Sequence, residues 1–121
     1  VFQEVINVLA QPMLSRLFAP DALAEVPVNG VVADVGVAGQ IDRLHVDNTS
    51  VLFADLKTGQ RPSGPPPLAY QRQMALYGAL LQQIYPDHRI KGWIIWTEDA
   101  STQEVTKKMC ADSLAEFGDF S

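Results

Sequence analysis

Two short apolar runs separated by a polar turn constrain this chain more than any other feature. Gly39-Gln40-Ile41-Asp42-Arg43-Leu44-His45-Val46 leads through Asp47-Asn48-Thr49-Ser50 into Val51-Leu52-Phe53-Ala54-Asp55-Leu56-Lys57-Thr58-Gly59. Runs of this length, rich in β-branched and aromatic residues and bounded by turn formers, read as adjacent antiparallel strands. Each run carries an acid near one end, where a carboxylate must face solvent or find a partner. Lys57 follows Asp55 by two positions, so strand alternation places both on one face.

The neighbouring segments extend this pair into a sheet. Residues 24–28 read as a strand holding Glu25 and ending at Asn29-Gly30, a strong hairpin signal. Residues 31–37 are then the second strand, continuing through a bulge or bend at Gly36 and Gly39 into residues 40–46. With residues 51–57 they predict a three-stranded antiparallel meander. Val1, Val5, Val8 and Leu9 share helical spacing ahead of it, and Pro12 suits the first turn of another short helix through Phe18. Asp21 is placed to cap one further turn.

Downstream, residues 58–67 hold too much Gly and Pro for regular structure and read as an ordered rim beside the acids. Tyr70, Met74, Tyr77, Leu81 and Ile84 recur every three or four positions, which predicts a helix over 68–85 stopped by Pro86. Residues 91–97 have the unbroken apolar centre of a buried strand, 98–102 turn the chain, 103–106 form an edge strand and 108–117 a terminal helix. A helix joining the third strand to a fourth implies a crossover. The expected class is α/β: helix, three-stranded meander, helix, strand, in a mixed sheet flanked by helices.

Composition narrows the function classes. At 121 residues, 47% hydrophobic and 19% charged, the chain has the size and apolar content of one domain with one core. No apolar run approaches the roughly 18 residues of a membrane span and no export signal opens the sequence, so no membrane is expected and a cytoplasmic setting fits. Cys110 is the only cysteine, which excludes a disulfide or a cysteine metal site within the chain. A net charge of −5 opposes nucleic-acid binding by bulk electrostatics, so any DNA contact must be local, metal-bridged or helped by another domain. Because it opens at Val1 without an initiator methionine, the sequence reads as a piece of a longer polypeptide.

The chemistry converges on the two strands. The carboxylates of Asp42 and Asp55, with the backbone carbonyl of Leu56, offer oxygen ligands to a hard cation such as Mg²⁺. Such an ion acidifies bound water and polarises a phosphoryl group, while the Lys57 ammonium orients the nucleophile or meets developing negative charge. A bare Asp-x-Lys is more often a surface ion pair of little energetic weight. Gln73 and Tyr77, one helical turn apart and on a face with Tyr70, can present an amide and a phenol to the same spot. Spacing of that kind alone more commonly marks a core aromatic beside a solvated glutamine.

Gly39-Gln40-Ile41-Asp42-Arg43-Leu44, Asp55-Leu56-Lys57-Thr58-Gly59 and Gln73-Met74-Ala75-Leu76-Tyr77, in this order and at these intervals, resemble the RecB-type branch of the PD-(D/E)XK nucleases. Within that branch they are similar to the C-terminal nuclease domain of the AddA subunit of bacterial double-strand-break repair helicase-nucleases. Ala24-Glu25-Val26-Pro27 and Tyr85-Pro86 are also similar, so the likeness covers roughly residues 25–97. It implies a restriction-endonuclease-like core and a Mg²⁺-dependent DNA exonuclease, with Mn²⁺ as the alternative ion. Asp42, Asp55 and Leu56 become the metal ligands and Lys57 the catalytic lysine. Gln73 and Tyr77 fall on the family's Gln-x-x-x-Tyr motif, which supports the active site and DNA. It further implies a helicase domain upstream in the same chain, a partner subunit in an AddAB-type complex, and this chain as the C-terminal nuclease portion.

One departure stands out. Members of that branch usually contribute a histidine ligand from an upstream helix, and no residue from Val1 to Ala24 is histidine. His45 points to the face opposite Asp42, and His88 sits in a turn; Glu25 receives no ligand role. The absent histidine and the acidic charge motivate an alternative, a nuclease-like module that binds DNA or docks a subunit without catalysis. A restriction-type or phage exonuclease is a third reading. Arg61 and Arg72 flank the site as phosphate contacts or as solvated charges. Trp93 and Trp96 read as core, Lys107-Lys108 is too short for a nucleic-acid patch, and Cys110 reads as a neutral, buried thiol.

Overall fold

Asp47 is the reason the chain reverses where it does. Its carboxylate accepts the backbone N–H of Thr49 at 2.8 Å and of Ser50 at 2.7 Å, and the Ser50 hydroxyl donates to both of its oxygens. An aspartate that bonds its own following backbone mimics a turn. These bonds, led by the Thr49 amide, hold the Asp47 carboxyl down at about 2. In the structure, a computed structural model that describes residues 12–99 and 101–118, this turn joins two strands of a five-stranded sheet.

The elements in chain order are α1 (Pro12–Arg16), β1 (Leu23–Val32), β2 (Val35–Val46), β3 (Ser50–Lys57), α2 (Leu68–Ile84), β4 (Arg89–Trp96), β5 (Ser101–Val105) and α3 (Lys107–Gly118). The spatial order is also β1-β2-β3-β4-β5. Strands β1, β2 and β3 form the expected antiparallel meander, β4 runs parallel to β3, and β5 runs antiparallel to β4. A parallel neighbour cannot follow through a tight turn, and α2 is the connection that carries the chain across. The helix predicted over residues 1–10 lies outside the described residues.

Strand β3 is central, and its sequence shows why. Val51 and Phe53 join the cluster of Met74, Tyr77, Leu80 and Leu81 beneath α2, while Leu52 and Ala54 join Leu14, Leu17, Trp93 and Ile95 on the other face. A strand covered on both sides needs apolar residues at every position, which is the run that the sequence carries. Each fully buried aliphatic or aromatic side chain contributes about 1.5–3 kcal/mol, so this strand and its two coverings hold the fold together.

The β1–β2 hairpin differs from the reading of its sequence. The chain turns at Ala33 and Asp34, with φ of 50° and 65°, and not at Asn29-Gly30. Asn29 and Gly30 instead pair with Ala38 and Val37, and Val31 and Val32 end β1 rather than begin β2. Gly30 is needed for packing: a Cβ there would stand 2.5 Å from Leu80 Cδ2. Nor is there a bulge at Gly36 or Gly39, since the register runs unbroken from Val32↔Val35 to Val26↔Ile41. Asp21 caps no turn; its carboxylate pairs with His45 Nε2 at 3.1 Å.

The Gly-Pro segment after β3 is tied down as an ordered rim. Gln71 Nε2 donates to the Pro66 carbonyl at 2.7 Å, Gln103 Nε2 to the Gly64 carbonyl at 2.9 Å, and the Arg61 backbone N–H to Asp99 at 3.4 Å. Among the described residues no helix is long and apolar enough to cross a membrane.

Gly92 tests the packing of α2 on the sheet, because a Cβ there would come within 2.7 Å of the Phe53 ring and 3.0 Å of Met74 Cε. Gly92→Ala is expected to destabilise the chain by about 1–3 kcal/mol in urea unfolding. Gly36→Ala, where a Cβ meets nothing within 4 Å, is the control and should not destabilise.

Candidate active site

Strands β2 and β3 part company at Asp42. Their ladder pairs Val46↔Val51, His45↔Leu52, Leu44↔Phe53 and Arg43↔Ala54, and stops there. One step further, the Leu56 backbone N–H donates to Asp42 Oδ2 at 2.8 Å. A side-chain carboxylate thus satisfies an amide that a continued ladder would have satisfied with backbone. Strand β3 meanwhile stays paired with β4 out to Lys57↔Trp96, and both the N–H and the hydroxyl of Thr97 donate to the Lys57 carbonyl. The opening therefore has one wall fixed by backbone pairing, and the candidate side chains stand on it.

Lys57 Nζ lies 2.7 Å from Asp55 Oδ2 and donates to Gln73 Oε1 at 3.2 Å. Gln73 Nε2 in turn donates to the Tyr77 hydroxyl at 3.4 Å. The ammonium sits 4.2 Å over the Tyr70 ring, a cation–π contact, and Tyr70 packs against Trp96. Tyr77 reaches this line because Gly39 leaves room: a Cβ at Gly39 would come 2.0 Å from the phenolic oxygen. Asp55, Lys57, Gln73 and Tyr77 are brought together as the sequence predicts, one short polar chain from sheet to helix.

Asp55 is only 6% exposed. Burial pushes its carboxyl above the ordinary value of 3.8; Lys57 opposes that rise, and the nearby Asp42 carboxyl adds to it. Asp55 Oδ2 meets Lys57 at ion-pair distance without a well-directed hydrogen bond, so a buried carboxylate oxygen keeps acceptor capacity. Two adjacent carboxylates with unused lone pairs, beside the Leu56 carbonyl, fit a hard divalent cation that retains several of its waters.

The family model of the PD-(D/E)XK nuclease superfamily matches residues 2–119. The chain belongs to the PD-(D/E)XK nuclease superfamily. Membership implies nuclease activity, for which the superfamily typically uses divalent metals, and the five-stranded mixed sheet flanked by helices is its restriction-endonuclease-like fold. The crystal structure of SSO0001 matches 96% of this chain with a TM-score of 0.50 and 18% identity, a likeness of fold. This chain spans 59% of that one. A search of curated protein sequences found no match.

Several residues that the sequence offers lie outside this candidate site. His45 faces the other side of the sheet and binds Asp21, and His88 Nε2 bonds the Asp47 carbonyl at 2.9 Å. No group of three or more His, Cys, Asp or Glu gathers to hold a metal among the described residues. Trp93 and Trp96 are core residues, one on each face, and Trp96 Nε1 donates to Gln103. Lys108 pairs with Asp112 one turn along α3, and burial pushes the Cys110 thiol up, away from reactivity. Arg61 and Arg72 are exposed near the rim and on α2.

Two features around the site are not read from the sequence. Tyr70 shares a helix face with Gln73 and Tyr77, but its place beneath Lys57 comes from packing on Trp96. Glu25, an exposed residue, has φ of 53°, and the β1–β2 pairing skips it, passing from Ala24↔Arg43 to Val26↔Ile41. The skipped position lies across from Asp42. A non-glycine residue in the left-handed region costs roughly 1–2 kcal/mol, and no sequence signal announces it.

The raised Asp55 pKa has a signed consequence for stability. The folded state keeps the Asp55 proton to higher pH than the unfolded chain does, so this group's contribution falls as pH rises from 3.8 through the folded pKa. Asp55→Asn removes the titration. Urea unfolding across that pH range is expected to show a smaller loss of stability with rising pH in the variant than in the parent.

Proposed function

We propose that the chain is the Mg²⁺-dependent DNA exonuclease domain of a RecB-type, AddA-like helicase-nuclease of recombinational double-strand-break repair. The observation that carries this reading is the meeting of Asp42 and Asp55 at the mouth of the β2–β3 opening, with Lys57 held between Asp55 and Gln73. Asp42, Asp55 and the Leu56 carbonyl would hold Mg²⁺, or Mn²⁺ in its place, which when bound would supply an acidified water and a polarised phosphoryl group. Lys57 sets the orientation of the attacking water and meets the negative charge that grows on the phosphate oxygens as the phosphodiester is hydrolysed. Gln73 fixes the ammonium, and Tyr77 fixes Gln73.

In this reading the chain is a single nuclease domain at the C-terminal end of a longer cytoplasmic protein. A helicase domain precedes it and feeds DNA to the site, and a second subunit completes an AddAB-type assembly. The need for such help agrees with the net charge of −5, which gives the domain no bulk attraction for DNA.

A second reading has its own observation. The described residues gather no third His, Cys, Asp or Glu at the two carboxylates. A module that kept the fold and lost a ligand would bind DNA or dock a subunit without cutting. The two readings separate on the intact parent protein. The first expects Mg²⁺-dependent cleavage of linear DNA that Asp55→Ala or Lys57→Ala lowers by about 10²–10³-fold. Undiminished cleavage in both variants refutes the site assignment, and DNA binding with no cleavage by the unaltered protein selects the second reading.

A further inference from the structure

The irregular pair opposite Asp42 is held by a side chain. Gln40 Nε2 reaches across the hairpin and donates to the Glu25 backbone carbonyl at 3.1 Å. In a regular antiparallel ladder side chains do not perform that task, because backbone groups face one another. With φ at 53°, the Glu25 peptide is turned out of the ladder, and its carbonyl takes the Gln40 side-chain amide as donor in place of a backbone N–H.

The consequence is visible in the core. Ile41 and Leu44 both belong to the cluster beneath α2, although they stand three residues apart in one strand. Strict alternation would send them to opposite faces. The side-chain phase of β2 therefore changes between them, at Asp42 and Arg43, beside the position that Glu25 leaves unpaired. Arg43 goes to the far face, 4.6 Å from the Phe18 ring, and Asp42 turns to the Leu56 amide. Strain that persists in a strand must be over-determined by its surroundings, and it concentrates where it serves a site.

We propose that Gln40 is a positioning residue: by bonding the Glu25 carbonyl it holds Glu25 in the left-handed conformation, and that conformation aims the Asp42 carboxylate into the β2–β3 opening. Glu25 acts through its backbone, and its carboxylate has no part. The functional consequence rests on the reading of Asp42 as a metal ligand; the structural consequence, the Asp42 bond to the Leu56 amide, does not.

Two readouts on the full chain keep these apart. Amide hydrogen exchange at Leu56, followed by NMR without metal or DNA, reports the Asp42 bond directly. Gln40→Ala is expected to speed that exchange by about tenfold while the amides of β3 that pair with β4 keep their protection. Metal-dependent cleavage should lose kcat by about tenfold with KM changed less than about twofold, as for a misplaced catalytic group. Glycine adopts the left-handed conformation without strain. Glu25→Gly should therefore restore Leu56 protection and kcat in the Gln40→Ala background, and alone should keep both near the parent values. Glu25→Val, a β-branched residue unfit for φ near +53°, should reproduce the Gln40→Ala defect.

Unchanged Leu56 exchange in Gln40→Ala overturns the proposal, as does failure of Glu25→Gly to rescue it. Loss of kcat in Glu25→Gly alone also overturns it, by assigning the role to the carboxylate. If the parent chain cleaves nothing yet the exchange pattern follows expectation, the positioning role stands and the nuclease reading is what fails.

Discussion

A single hydrogen bond, from the Leu56 amide to the Asp42 carboxylate, separates the part of this molecule that is a sheet from the part that is a site. Below it, β2 and β3 form an ordinary antiparallel ladder closed by the Asp47 turn. Above it, the strands diverge, β3 remains fixed to β4, and the opening exposes Asp55 and Lys57 to the helix that crosses the sheet. An amide released from a ladder takes its acceptor from water or from a side chain, and Leu56, 37% exposed, takes it from Asp42. By using a side chain for that acceptor, the chain ends the ladder without an unsatisfied group and places a carboxylate at the point of divergence.

The rest of the architecture keeps that opening in place. Strand β3 is sealed on both faces, so its two charged residues have no freedom to shift along the sheet. Helix α2 lies close because glycines mark its contacts: Gly30 beneath Leu80, Gly92 beneath Phe53 and Met74, and Gly39 beneath the Tyr77 hydroxyl. Close approach by the last of these completes the line from Lys57 through Gln73 to Tyr77. Packing and site are thus one construction, and the same helix face supplies core residues at Met74 and Leu81 and polar ones at Gln73 and Tyr77.

The electrostatics show the familiar tension between stability and function. A carboxylate as buried as that of Asp55 is disfavoured in its charged form, and a second carboxylate beside it makes matters worse. Lys57 offsets part of that cost and a divalent cation would offset more, because both favour the ionised pair. Backbone strain at Glu25 belongs to the same account, a local conformation retained against its intrinsic preference.

Much of this was legible in the residues because it depends on local periodicity. Strand alternation puts Asp55 and Lys57 on one face, helical spacing puts Tyr70, Gln73 and Tyr77 on another, and the apolar run of residues 51–57 marks a strand before any contact is known. The hairpin turn was not legible. Asn29-Gly30 carries the strongest local turn signal in the region, yet Gly30 is required by Leu80, a residue fifty positions away, and the turn moved to Ala33 and Asp34. The same holds for the left-handed Glu25, the reach of Gln40 across the hairpin and the acceptance of the Leu56 amide by Asp42. Periodicity assigns side chains to faces, whereas close approach and the satisfaction of individual backbone groups depend on which distant segments meet, and those follow from the folded packing alone.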